Sequence, residues 1–166
     1  SGNPFAGLTG ATAWSFTTAD VTAPTFTIDT PTDGATQVPV ETALSLTFNE
    51  TVQKGTGNIL IKDGSDDSVL ASIPVTDDQI TVSSATVTID PTLDLSDKTS
   101  VYIEIPSSAF TDLEGNSFAG IAGTDTWNFT TEDNTPPVLS TQNPIDAAAS
   151  VSGDADLRLP CDEDIQ

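Results

Sequence analysis

The segment ALSLTFN (Ala43–Asn49) sets Leu44, Leu46 and Phe48 on alternate positions, with Ser45 and Thr47 between them. Successive side chains of an extended chain point to opposite faces, so this segment reads as a strand with one buried and one wet face. The pattern continues on both sides. TFTID (Thr25–Asp29) precedes it and is closed by a Pro31–Gly34 turn. NILIKD (Asn58–Asp63) follows the glycine-rich connection KGTGN, and VLASIPV (Val69–Val75) carries Pro74, which suits an edge or a bulge. QITVS and ATVTIDP meet at Ser83–Ser84. SVYIEI (Ser100–Ile105) sends Val101, Ile103 and Ile105 inward and Glu104 outward, and Tyr102 is the aromatic expected to face outward. Ser107–Asn116 suggests a short helical turn, and TWNFTTE (Thr126–Glu132) puts Trp127 and Phe129 on one face. Seven or eight short strands in about 110 residues predict an all-β, immunoglobulin-like Greek-key β-sandwich.

The chain also repeats itself. GNPFAGLTGATAWSFTTADVTAP (Gly2–Pro24) returns as GNSFAGIAGTDTWNFTTEDNTPP (Gly115–Pro137), with Trp14 and Trp127 separated by 127 − 14 = 113 positions. At that offset, without gaps, Ser1–Ala19 matches Glu114–Glu132 at 10 of 19 positions, and Asp20–Gln53 matches Asp133–Gln166 at 11 of 34. The shared residues are turn prolines, alternating apolar residues and acidic loop residues, so structural grammar recurs. The expected organisation is therefore the C-terminal strand of a preceding repeat in 1–19, a complete domain in 20–132, and the N-terminal strands of a following repeat in 133–166. Trp14 and Phe16 are expected to anchor the closing strand of the first. A period this long implies autonomous domains in tandem, with neighbouring repeats as partners.

Composition excludes several roles. The chain has 25 Asp+Glu against 4 Lys+Arg, a formal net charge of −21 that repels nucleic acid and anionic lipid. No apolar run approaches the roughly 20 residues that cross a bilayer, so direct membrane insertion is not expected. There is no His, which removes the commonest general base, and Cys161 is the only cysteine, at the position matching Phe48. KGTGN lacks the length and the Lys-Ser/Thr of a phosphate-binding loop, and serves as a strand connection. No catalytic residue is expected, and the chain reads as a non-enzyme.

Acidity of this order serves solubility, and it also suits a hard cation, because Ca²⁺ takes 6–8 oxygen ligands. In an immunoglobulin-like sandwich the loop after the second strand, the loop before the last strand and the incoming linker share one end. That end would hold Glu50, Asp112, Glu114, Asn116 and Asp20. Asp133, with Asp162, Glu163 and Asp164, would play the equivalent part at the next junction. Calcium is thus the expected cofactor, set against the simpler reading that Asp and Asn favour turns anyway. DGSDD (Asp63–Asp67) lacks the spacing of a calcium loop and reads as a hairpin turn. Asn49-Glu-Thr51 and Asn128-Phe-Thr130 fit a glycosylation pattern that is common by chance and are assigned no role.

With LTFNETVQ (Leu46–Gln53) and the close DLEGNSFAG…TWNFTT (Asp112–Thr131), the chain resembles the bacterial Ig-like domain of the S-layer and adhesin type, found as tandem repeats in large secreted surface proteins. The resemblance implies an extracellular or cell-surface spacer or adhesive module without catalytic activity, and the acidic loops add the expectation that calcium stiffens its joints. Two other readings stay open. One is a carbohydrate- or protein-binding module. The other is a filament-forming subunit, in which orphan strands complement one another head to tail between chains.

Overall fold

The computed structural model describes residues 2, 4, 7 and 14–162. Its described residues contain eleven strands and no helix. The strands are β1 (Phe26–Thr30), β2 (Ala35–Val38), β3 (Leu44–Phe48), β4 (Gln53–Lys54), β5 (Asn58–Asp63), β6 (Val69–Pro74), β7 (Ile80–Ser83), β8 (Thr86–Ile89), β9 (Ser100–Glu104), β10 (Phe110–Thr111) and β11 (Asn128–Thr131). One sheet has the order β1-β3-β8-β7, the other β2-β11-β9-β5-β6, and β4 pairs with β10 in a short ribbon. All pairings are antiparallel except β11 with β2. This is an immunoglobulin-like β-sandwich.

Alternation explains the layers. Leu44, Leu46 and Phe48 are buried along β3, Ile59 and Ile61 along β5, and Val87 and Ile89 along β8; Val101, Ile103, Trp127 and Phe129 complete one continuous core. The Trp127 indole donates to the Pro31 carbonyl at 2.7 Å, so its one polar atom is satisfied inside that core. Thr131 is buried at the end of β11, donating through Oγ1 to the Ser96 carbonyl and accepting from the Thr99 amide.

Several expectations need correction. Ser107–Asn116 contains β10 and a turn, with no helical residue. Tyr102 alternates away from Val101 and Ile103, yet it is only 3% exposed. The Lys62 ammonium lies 5.0 Å from its ring centroid, and its hydroxyl donates to Asp67 Oδ1 at 2.9 Å. The long Lys62 stem covers the outer face of the sheet there. Residues 14–19 form no strand, and Trp14 and Phe16 are 76% and 80% exposed. β2 is a strand that the alternation pattern does not announce, because its four residues do not alternate and its partner β11 lies about ninety positions away. In contrast, Asp63–Asp67 forms the expected hairpin turn, between β5 and β6, with the Ser65 amide donating to Asp63 Oδ1.

The 113-residue offset also relates local geometry. The bridge Leu139↔Cys161 corresponds to the pair Phe26↔Phe48, and Asn143↔Arg158 corresponds to Thr30↔Ser45. Gly34 and Gln37 have φ of 71° and 59°, and their counterparts Ala147 and Ser150 have 59° and 58°. Cys161 is half-buried.

Candidate functional site

The site grows from an aromatic cluster at one end of the sandwich. Phe48 ends β3, and its ring meets Phe110 of β10 edge-on at 5.9 Å and Phe118 at 5.2 Å; Phe118 in turn meets Phe26 of β1 at 6.3 Å. Such edge-to-face contacts fix relative placement as well as burying area. Glu50 stands two residues beyond Phe48, and Asp112 two beyond Phe110, so the aromatic contact brings the two carboxylates to the same rim.

The Asp112 loop is built tightly. The Asp112 amide donates to the Asn116 carbonyl and the Phe118 amide to the Phe110 carbonyl, closing a short hairpin around Gly115, whose φ of 93° suits glycine. Asp112 is fully buried, and its Oδ1 accepts the amides of Glu114 and Asn116 at 3.0 and 2.7 Å. Its Oδ2 accepts Asn116 Nδ2 at 2.6 Å. Burial acts against the ionised form, but these hydrogen bonds outweigh it and hold the Asp112 carboxyl below the usual range. Gln53 Nε2 of β4 donates to the Asp112 carbonyl, tying the loop to the ribbon.

The segment ahead of β1 is fastened to this rim. Asn116 Nδ2 also donates to the Asp20 carbonyl at 3.2 Å, while Asp20 Oδ1 caps its own turn by accepting the Thr22 amide. Asn49 exchanges two bonds with Thr25, one through its side chain and one through its backbone. The result is that carboxylate oxygens of Asp20, Glu50 and Asp112 lie within 4.8 Å of one another. Glu50 is half-buried there, and burial followed by the negative charges of Asp112 and Asp20 pushes its carboxyl up.

The six residues singled out from sequence therefore separate. Asp20, Glu50 and Asp112 supply converging carboxylates. Asn116 works as a clamp between Asp112 and the Asp20 segment ahead of β1, and Glu114 gives its amide to Asp112 while its side chain stays in solvent. Asp133 sits at the far end of the sandwich, where its carboxylate pairs with Lys98 at 2.7 Å and caps a turn through the Thr135 amide. Asp162 accepts the Val138 amide as Asn49 accepts that of Thr25. Glu163 and Asp164 lie outside the described residues. The sequence reading missed Gln53 and the aromatic cluster as positioning groups; Phe48 and Phe110 each precede an acidic residue by two, which was the available signal.

The four cations of the chain are all engaged elsewhere. Lys54 donates to the Asp77 carbonyl, Lys62 pairs with Glu104, Lys98 with Asp133 and Arg158 with Asp156. Three carboxylates with no ammonium or guanidinium to neutralise them can do one chemical thing well, which is to offer hard oxygen ligands to a cation.

A family model described as a bacterial Ig-like domain matches residues 20–131. No curated protein matches the chain. Among solved structures, CopC from Methylosinus trichosporium OB3b is similar at 14% identity and a TM-score of 0.47, over 68% of this chain and 97% of that one.

Proposed function

The chain belongs to the bacterial Ig-like domain family, and on that premise we propose that it is a non-catalytic structural module of a tandem-repeat bacterial surface protein, a spacer whose joints are stiffened by calcium. The observation that carries this reading is the convergence of Asp20, Glu50 and Asp112 within 4.8 Å, with every cation of the chain held elsewhere. Asp20 belongs to the linker, whereas Glu50 and Asp112 belong to the sandwich. An ion ligated by all three fastens the linker to the domain and removes the bending freedom of the joint. The tandem reading is supported by the offset pairs Asp20/Asp133 and Asn49/Asp162, whose side-chain oxygens accept the corresponding backbone amides at both places.

The test is thermal unfolding with calcium against a chelator. For an extracellular-type site of 10⁻⁴–10⁻³ M, about 1 mM calcium should stabilise by roughly 0.4–1.4 kcal/mol, or about 2–8 °C for a domain of this size. Glu50→Gln should abolish the rise, and magnesium at equal concentration should give less, because it resists dehydration. Identical melting in calcium and chelator rejects the calcium joint.

A further inference from the structure

Alternation in TFTID (Thr25–Asp29) would set Phe26 and Ile28 on one face of a strand and leave Asp29 on the other. The strand does otherwise. Phe26 lies opposite Phe48, but an extra residue then enters β1, so that Ile28 lies opposite Thr47 and Asp29 opposite Leu46. A one-residue slip of register exchanges the two faces of a strand. Asp29 therefore shares the face of Leu46, which is 0% exposed within the core. Its Oδ2 is buried without a hydrogen-bond partner, the one side-chain atom of that kind among the described residues.

The rest of β1 does little to offset that cost. It is an edge strand, paired with β3 alone. Every other strand of the two large sheets supplies a buried core residue, whereas the described side chains of β1 supply only the partly buried Phe26. What fastens β1 sits at its ends. At the rim, Pro24 is buried, Asn49 exchanges two bonds with Thr25, and Asn116 holds the Asp20 carbonyl. At the other end Pro31 is buried, and its carbonyl accepts the Trp127 indole.

We propose that β1 is a releasable strap: the segment Asp20–Thr30 lifts off β3 as a unit, hinged at Pro31, while the other strands stay folded. Asp29 sets its hold. Lifting returns the orphan carboxyl to water, which offsets part of what separating the strand costs. The lifted segment carries Asp20 away from Glu50 and Asp112, so closing β1 assembles the three converging carboxylates and opening it parts them. The strap rests on the packing of β1 and not on calcium. Calcium-independent melting would leave it standing, and a strand that never lifts would leave the calcium response untouched.

Amide hydrogen exchange of the whole chain in chelator, followed residue by residue by NMR, tests it. Asn49 and Phe48 are adjacent and report on opposite neighbours. The Asn49 amide donates to the Thr25 carbonyl of the strap, and the Phe48 amide to the Ala85 carbonyl on the other side. Protection at Asn49 should be roughly tenfold or more below that at Phe48, and low urea should leave it unchanged, because a local opening exposes little surface. The Ile103 amide, which donates to the Trp127 carbonyl in the other sheet, should instead lose protection steeply with urea. Asp29→Val places an apolar side chain opposite Leu46, and should slow exchange at Thr25 and Asn49 roughly tenfold while raising the melting temperature. Equal protection and equal urea dependence at Asn49 and Ile103 would overturn the proposal, as would exchange at Asn49 that is unchanged or faster in Asp29→Val. The urea comparison uses the parent chain alone, so it decides the matter even if the variant folds poorly.

Discussion

Asp112 and Glu50 sit within reach of each other and titrate in opposite directions. Asp112 is favoured as an anion by the Asn116 and loop amides that surround it, with burial opposing. Its folded pKa lies below its unfolded value, so its stabilisation is present above the unfolded carboxylate range near 3.9 and is lost as pH falls through the folded pKa. Acid titration should therefore show Asp112→Asn to be less stable than the parent at neutral pH, with the gap closing at the acid end. Glu50 is disfavoured as an anion by burial and by Asp112 and Asp20. Its raised pKa means that stability present at low pH is lost as pH rises through the folded value. Glu50→Gln should then raise the melting temperature in chelator near neutral pH while removing the response to calcium. A calcium-binding group that is frustrated without its ion shows this pair of effects, whereas a turn-forming carboxylate shows neither. Away from the site, Tyr102→Phe leaves Asp67 without its donor and should cost about 1 kcal/mol in urea unfolding. The outward direction of Tyr102 follows from period-2 alternation; its burial does not, because the cover comes from Lys62 on a neighbouring strand.

Among the elements, the β4–β10 ribbon has the greatest leverage on the site for its size. It is two residues long on each side, and it continues through Gly55 and Thr56, whose amides donate to the carbonyls of Ala109 and Ser108. A Cβ on Gly55 would stand 2.1 Å from the Ser108 carbonyl oxygen, so the two backbones approach each other only with glycine there. Gly55→Ala should destabilise the domain by about 1–3 kcal/mol and weaken the calcium response together, since the displaced ribbon carries both Asp112 and the Gln53 bond to its carbonyl. Differential melting with and without calcium reads both effects. The glycines of KGTGN signalled a tight connection in sequence. The close approach to Ser108 was not visible, because the two segments are some fifty residues apart.

At the scale of the whole molecule, charge is the leading long-range force. A net charge of −21 with every cation committed to a local partner makes the chain repel itself and its copies. Raising monovalent salt should raise the melting temperature by screening. Calcium at matched ionic strength should exceed that general effect if the Asp20–Glu50–Asp112 joint binds it. Melting in sodium and calcium chloride of equal ionic strength separates the two.

The sequence by itself determined the β-sandwich and the period of the repeat, because alternation and turn chemistry are local and a fixed offset can be counted. It also selected the loops whose carboxylates meet, since chain order in such a sandwich dictates which loops share an end. Only the tertiary structure decided which of those residues converge. The edge-to-face packing of Phe48, Phe110 and Phe118 brings Glu50 toward Asp112, and a single amide, Asn116, ties Asp112 to the Asp20 segment ahead of β1. Asp133 has the same identity and the same capped turn as Asp20, yet it faces Lys98 across the far end. Those distinctions depend on contacts between segments remote in sequence, and no local pattern encodes them.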